Sequence, residues 1–395
     1  MLINLRNALM AGKRLPYDAE VEFLESTGTQ YIDVDASKVA TASRYVCYGQ
    51  YMVSSNQAMM WSHGYRGIRS YGGYIGFVTG KYATTNTTVI YDTGCIIDFD
   101  AVSLKGILTS PSGTELANVT IGSSSASGGL RIFAASETAT GYLASQSRLY
   151  FIRVYDAAGN ILFDYIPVRK GTVGYLYDRV SGKLFGNAGT GDFVLGPDVV
   201  PVEYIESHGT EWIDTGIKPS PSTSVETVFA MTTFTANCGL FGARGAAVAD
   251  SKSYNLFIIN NSGARVRWDW SGSGQYQTSE ADTSTDATYV LGAAGGNITR
   301  NGTTVMSVSA SKAAINYPLY VFNFNNVGTP YSTGANARFW SVKIYDGQTL
   351  GNNFLPVRVG TEGAMMDTLT RRIYRNAGTG AFGYGNDLKY PIPAE

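Results

Sequence analysis

Two patterns of apolar and polar positions divide the chain. Over the first twenty residues, Leu2, Ile3, Leu5, Leu9 and Met10 fall at helical spacing. Lys13 and Arg14 come near the end, Gly12 can stop the helix and Pro16 follows. That predicts one amphipathic helix of two to three turns. From Val21 onward the helical period disappears. Short apolar runs take over, such as residues 151–155 (FIRVY) and 339–345 (FWSVKIY), each ending in a turn at 156–159 (DAAG) or 346–347 (DG). Residues 161–166 (ILFDYI) and 353–355 (NFL) read as their hairpin partners, and 180–183 (VSGK) as another turn. Strand never alternates with helix, so the pattern predicts an all-β, antiparallel sandwich and excludes a parallel α/β sheet.

The pattern is also written twice. Residues 21–34 read VEFLESTGTQYIDV and residues 202–215 read VEYIESHGTEWIDT, a shift of 181 (from 21 to 202). The block at 153–193 answers the block at 343–382, with Asn187 matching Asn376, a shift of 189 (from 187 to 376). Agreement at both ends in the same order implies a duplicated domain whose second copy has a longer middle. The expected division is an N-terminal attachment segment at 1–20, domains at 21–198 and 202–385, and a tail at 386–395.

Composition narrows the function. Charged residues are 15% and the formal net charge is −1, so no basic face draws the chain to nucleic acid. Gly (46) and Tyr (27) are abundant, as tight turns and an aromatic core require. No apolar stretch reaches the ~20 residues that span a bilayer, and Asn4, Arg6 and Asn7 break up any secretory signal core. Cys47, Cys95 and Cys238 form no framework and read as buried free thiols.

The repeated motifs E-[YF]-[IL]-E-S-x-G-T-x-[YW]-I-D and I-P-V-R…Y-D…N-A-G-T-G-x-F resemble the ends of concanavalin A-like (laminin-G-like) jelly-roll modules. In the second copy Leu355, Met366 and Trp212 depart modestly from the pattern. Such modules occur in tailed-phage and prophage virion proteins and in bacterial surface proteins. The resemblance implies two packed sheets per copy, often with a sugar-binding role, and leaves room for a structural calcium ion held by carbonyls and loop Asp or Asn.

Catalysis is disfavoured. A glycanase needs two carboxylates flanking the scissile bond. Glu22 and Glu25 have opposite strand parity; Asp98 and Asp100 share one, but no third acid follows and the second copy has no clear counterpart. The only histidines are His63 and His208, too few for a zinc set, and no Ser/His/Asp triad assembles. The pairs Glu25/Glu206, Asp33/Asp214, Arg169/Arg358 and Asp178/Asp367 read as ion pairs and turn holders, and the repeated NAGTG as a turn before the last strand. Ligand contact is expected in the diverged middles: Trp61, Tyr65 and Arg66 near Gly64 and Gly67 in the first copy, Trp268 and Trp270 in the second. Leu2, Leu5 and Leu9 form the expected docking face for other virion proteins. The expectation is a non-catalytic, multi-copy virion structural or adhesion protein of a tailed phage that binds glycans. The alternatives are an assembly protein without glycan ligand, a bacterial surface adhesin and, last, a glycanase.

Overall fold

A computed structural model describes residues 15–80, 83–111, 113–136, 143–233, 237–245, 253–260, 264–271, 289–292, 297–307 and 314–388. The chain divides into two compact units, Met1–Val199 and Val200–Glu395. Among the described residues the one helix is Ala36–Val39, started by Asp35, whose carboxylate accepts from Ser37 N at 2.8 Å. Everything else regular is strand.

In the first unit the larger sheet is built around Gln146–Asp156, which pairs antiparallel with Leu24–Thr27, Ala42–Tyr51 and Ile161–Lys170. Ala42–Tyr51 continues outward through Cys95–Asp100, Lys105–Thr109 and Glu115–Thr120. The smaller sheet runs Ile32–Val34, Leu130–Ile132, Ala58–His63, Arg66–Tyr71, Tyr74–Val78, Thr84–Ile90. Strand alternation sorts the side chains. Tyr45, Cys47, Ile97 and Phe99 turn inward, while Arg44, Tyr48, Ile96 and Asp98 turn outward. The inward set meets Trp61, Ile68, Phe77 and Ile132 of the smaller sheet in one core. All three cysteines are buried, and none is in a disulfide.

The second unit repeats this plan. Asn336–Asp346 pairs with Ile205–His208, Thr223–Met231 and Thr349–Val359. The facing sheet holds Ile213–Asp214, Tyr320–Val321, Cys238–Arg244, Ser253–Asn260 and Ala264–Ser271. Phe229, Phe339 and Val342 pack against Phe241, Leu256 and Val321. Each unit is thus an antiparallel β-sandwich with one small departure: Leu143–Ala144 and Asn325–Asn326 each add a two-residue parallel pairing to the smaller sheet.

Two expected boundaries move. The first ladder begins at Ala19–Val21, which pairs with Ile161–Lys170 and with Val199 and Asp198. Leu15 and Tyr17 pack with Ile166 and Val168. Residues 15–20 therefore belong to the first sandwich, because their apolar side chains have a place on it. The expected helix and its Leu2, Leu5 and Leu9 lie outside the described residues. At the other end Asp387 accepts both arms of Arg358, at 2.7 and 2.6 Å, and Leu388 N donates to Pro201 O, so the second unit extends through Leu388 instead of stopping at 385.

Candidate functional site

The repeated motifs turn out to be joinery. Ser26 Oγ donates to Gln30 O and Thr27 N to Gln30 Oε1; Ser207 Oγ donates to Glu211 O and His208 N to Glu211 Oε2. The Asn187 side-chain oxygen accepts from Tyr31 N and Gly189 N, and that of Asn376 from Trp212 N and Gly378 N. The NAGTG turn thereby ties the end of each copy to its beginning. Glu25 pairs with Arg148 at 2.6 Å and Glu206 with Arg338 at 2.7 Å. Those guanidinium groups lie 4.4 Å over Phe23 and 4.6 Å over Tyr204. Asp178 and Asp367 are fully buried and accept from Asp164 N and Val180 N, and from Asn353 N and Leu369 N.

The acids weighed for hydrolysis are spent in the same way. Asp98 holds Arg44 at 2.9 and 2.6 Å. Asp100 accepts from Val102 N and from the Ser103 hydroxyl. Partial burial raises the Asp100 carboxyl, but those hydrogen bonds outweigh it and the net direction is down. With its carboxyl lowered, Asp100 is not poised as a general acid, which needs a raised pKa. Among the described residues no group of three or more His, Cys, Asp or Glu comes together.

The expected ligand residues of the first copy need correction. Gly64 and Tyr65 do form a turn, but Trp61 sits on the strand before it and faces the core. It is fully buried, stacked on Tyr45 at 4.4 Å and edge-on to Phe99 at 5.6 Å, so no sugar can reach it. Arg66 is half-buried and donates to Ala42 O at 3.0 Å, to Ser124 Oγ at 3.2 Å and to Ser124 O, so its guanidinium stitches loop to sheet. Tyr65 is half-buried beside them. The Gly64 turn is itself covered: a Cβ there would lie 2.8 Å from Ser127 N. His63 is buried with Nδ1 2.5 Å from the Tyr45 hydroxyl and Nε2 3.1 Å from Gly128 O. Burial pushes its pKa down to about 4; the Gly128 contact raises it and Arg66 lowers it further.

The other end of the same hairpin is open. Arg66–Tyr71 and Tyr74–Val78 are joined by Gly72 and Gly73, at φ 60° and 85°, the two positive values of a type I′ turn. A Cβ at either glycine would touch nothing within 4 Å. Ile68 and Ile75 fill the core, so Arg69, Tyr71 and Tyr74 lie on the opposite, outward face. Tyr71 and Tyr74 are cross-strand neighbours with 39% and 45% of their surface exposed. Arg69 lies over the Tyr71 ring at 4.3 Å, and Asn86 lies across Gly76 next to Arg69. Asn56 Oδ1 accepts from Gly72 N and Gly73 O from Tyr91 N, which brace the tip. The sequence alone does not single these tyrosines out. The Tyr-Gly-Gly-Tyr spacing was the signal that marks them as a hairpin tip.

Trp268 and Trp270 lie in Ala264–Ser271, opposite Leu256 and Tyr254. Their side chains lie outside the described residues.

No protein-family model and no curated protein matches the sequence. Among solved structures the chain is similar to domains LG4-5 of the mouse laminin alpha1 chain, at 12% identity, covering 97% of each chain with a TM-score of 0.28. It is also similar to a protein proposed to bind carbohydrate, from Bacteroides ovatus ATCC 8483, at 12% identity, covering 96% of each with a TM-score of 0.34. At that identity and those scores the likeness carries no ligand or partner across to this chain.

Proposed function

We propose that the protein is a non-catalytic glycan-binding module whose first copy contacts sugar with the Tyr71–Tyr74 hairpin tip. The observation that carries this is a pair of exposed tyrosine rings held on a braced turn, in a molecule where Glu25, Asp98 and Asp178 are engaged in structure. Flat rings pack on the apolar face of a pyranose, while Arg69 and Asn86 are placed to meet its hydroxyls. A single ring contributes on the order of 1 kcal/mol, so one tip binds weakly and useful attachment comes from many copies. The setting we infer is the surface of a tailed-phage particle, supported by the resemblance of the repeated motifs. In that setting the segment carrying Leu2, Leu5 and Leu9 attaches the chain to other virion proteins. A bacterial surface is the alternative setting, and mass spectrometry of purified particles distinguishes the two.

The functional test is a glycan array probed with the full chain displayed on beads. Tyr71→Ala with Tyr74→Ala should leave the circular dichroism spectrum intact and lower binding about tenfold or more. Equal binding by the parent and the double variant sinks the assignment, as does reducing-end release from any arrayed glycan.

A further inference from the structure

The copies part company at one cross-strand pair on the outward face of the smaller sheet. In the first, Asp33 of Ile32–Val34 faces Arg131 of Leu130–Ile132. The two form a forked ion pair, 2.6 Å from Nε to Oδ1 and 3.3 Å from Nη2 to Oδ2, and the guanidinium caps the Tyr31 ring at 4.5 Å. The aspartate is consumed. In the second copy the corresponding pair is Asp214 and Tyr320. Tyrosine cannot neutralise a carboxylate.

What replaces the ion pair is a differently equipped surface. Trp212, in the place of Tyr31, stacks on Tyr320 at 4.2 Å and 29°. The indole is braced from behind: Trp212 N donates to Asn376 Oδ1, Ala377 N donates to Trp212 O, and Gly378 leaves room where a Cβ would lie 2.9 Å from Trp212 Nε1. Among the described residues that indole N–H donates to no protein group, and Trp212 is half-buried. Asp214 is half-buried, and its one hydrogen bond among the described residues comes from Gly216 N at 2.8 Å. Arg372 lies over the Tyr374 ring at 4.0 Å and reaches Asp214 only through its charge. Burial raises the Asp214 carboxyl above its usual range despite Gly216 and Arg372, and burial together with Asp214 pushes the Tyr320 phenol to about 12. Ile213 points into the core. Alternation therefore sets Trp212 and Asp214 on one face, roughly 7 Å apart along the chain.

A braced indole with a free N–H and an under-partnered carboxylate suit one chemistry: a ring with an apolar face and hydroxyls that both accept and donate. We propose that Trp212 and Asp214 form a second sugar subsite, confined to the second copy. In it the indole N–H donates to one hydroxyl of a pyranose and the Asp214 carboxylate accepts from its neighbour. This site stands whether or not the Tyr71–Tyr74 tip binds, since the two lie in different units.

The test follows the tryptophan indole N–H signals of the ¹⁵N-labelled full chain by NMR, with that of Trp212 assigned through Trp212→Phe. The probes are methyl glucopyranoside, methyl galactopyranoside, methyl mannopyranoside and N-acetylglucosamine, with calcium chloride added separately. At least one sugar should move the Trp212 signal saturably. Asp214→Asn should weaken that response about tenfold or more, as loss of a charge-assisted hydrogen bond does. Tyr320→Arg should abolish it by rebuilding the ion pair of the first copy, with the other indole signals in place as evidence of folding. The proposal is overturned if none of the four sugars moves the signal, if calcium moves it instead, or if Tyr320→Arg or Asp214→Asn binds as the parent does.

Discussion

The interiors of the two copies solve the same packing problem with different chemistry. In the first, Tyr45 and His63 meet across the core, and the arginine at the next hairpin position, Arg66, donates to Ala42 O. The register of the flanking strands puts Val225 and Ala243 in the places of Tyr45 and His63. There the volume is refilled from the position of Arg66 by Tyr254, which packs edge-on to Phe241 and sends its hydroxyl towards Thr223 O at 3.4 Å. The fold thus demands filled space between the sheets, and the buried polar tips of Tyr45, His63 and Tyr254 each meet a polar atom, while the residues that supply them differ between the copies. The polar solution carries a condition. Gly128 O can only accept, so His63 Nε2 carries a proton; with burial holding the pKa down to about 4, the ring is neutral near pH 7 and Nδ1 accepts from the Tyr45 hydroxyl.

The hardest test of this comparison is to empty the position that both copies fill with an aromatic ring. Trp61→Ala and Phe241→Ala should each cost about 4 kcal/mol in denaturant unfolding. A Trp61→Ala protein of parental stability would mean that the ring is not core and would return it to the ligand candidates.

Acid should then separate the copies. The pKa of His63 is lowered from 6.5 to about 4 in the folded chain, so the unfolded chain takes up the proton first. The stability it contributes is complete above pH 6.5, is lost as the pH falls towards 4, and does not change further below that. The loss by pH 5 is about 2 kcal/mol. Amide hydrogen exchange by mass spectrometry at pH 7 and pH 5, corrected for intrinsic rates, should show the first unit opening more at pH 5 and the second, with Ala243, changing little. His63→Gln should remove the difference, and equal acid response in both units would break the comparison.

The smallest effect concerns what the copies share. Arg148→Ala and Arg338→Ala each remove a half-exposed ion pair and a cation–ring contact, for about 1 kcal/mol apiece. Thermal unfolding of the two variants should show matched losses. A loss confined to one of them would show that the frame is not equivalent in the two copies.

These contrasts also explain what could be read from the sequence. The repeated ends announced a duplicated sandwich, and their polar residues behave as ion pairs and turn holders because each must satisfy the same backbone groups twice. Partners were harder to see. Glu25 finds Arg148 and Asp33 finds Arg131 only after the sheet has formed, with no local signal joining them. The replacement of Arg131 by Tyr320 falls in the diverged middle, where only strand pairing reveals that the two positions correspond. Trp61 was misplaced because glycines nearby mark a turn without saying which residue leads into it. The strand runs through Trp61 to His63 before the turn, and the ring faces inward.

The tie between the start and the end of each copy has a consequence for how the chain is made. Tyr31 N waits for Asn187, and Trp212 N for Asn376. On a ribosome the opening strands of each copy emerge long before their closing partners, so contacts of very long sequence separation must form last and the sandwich closes late. During that interval the chain holds two interchangeable openings and, eventually, two interchangeable closings. An opening captured by the wrong closing satisfies the same local hydrogen bonds while tangling the copies, a hazard of tandem repeats. The diverged middles work against it, since the cores of the two copies are packed differently, with Trp61 on Tyr45 in one and Phe241 beside Tyr254 in the other. Divergence between the copies is in this sense proofreading of assembly as well as room for new surfaces.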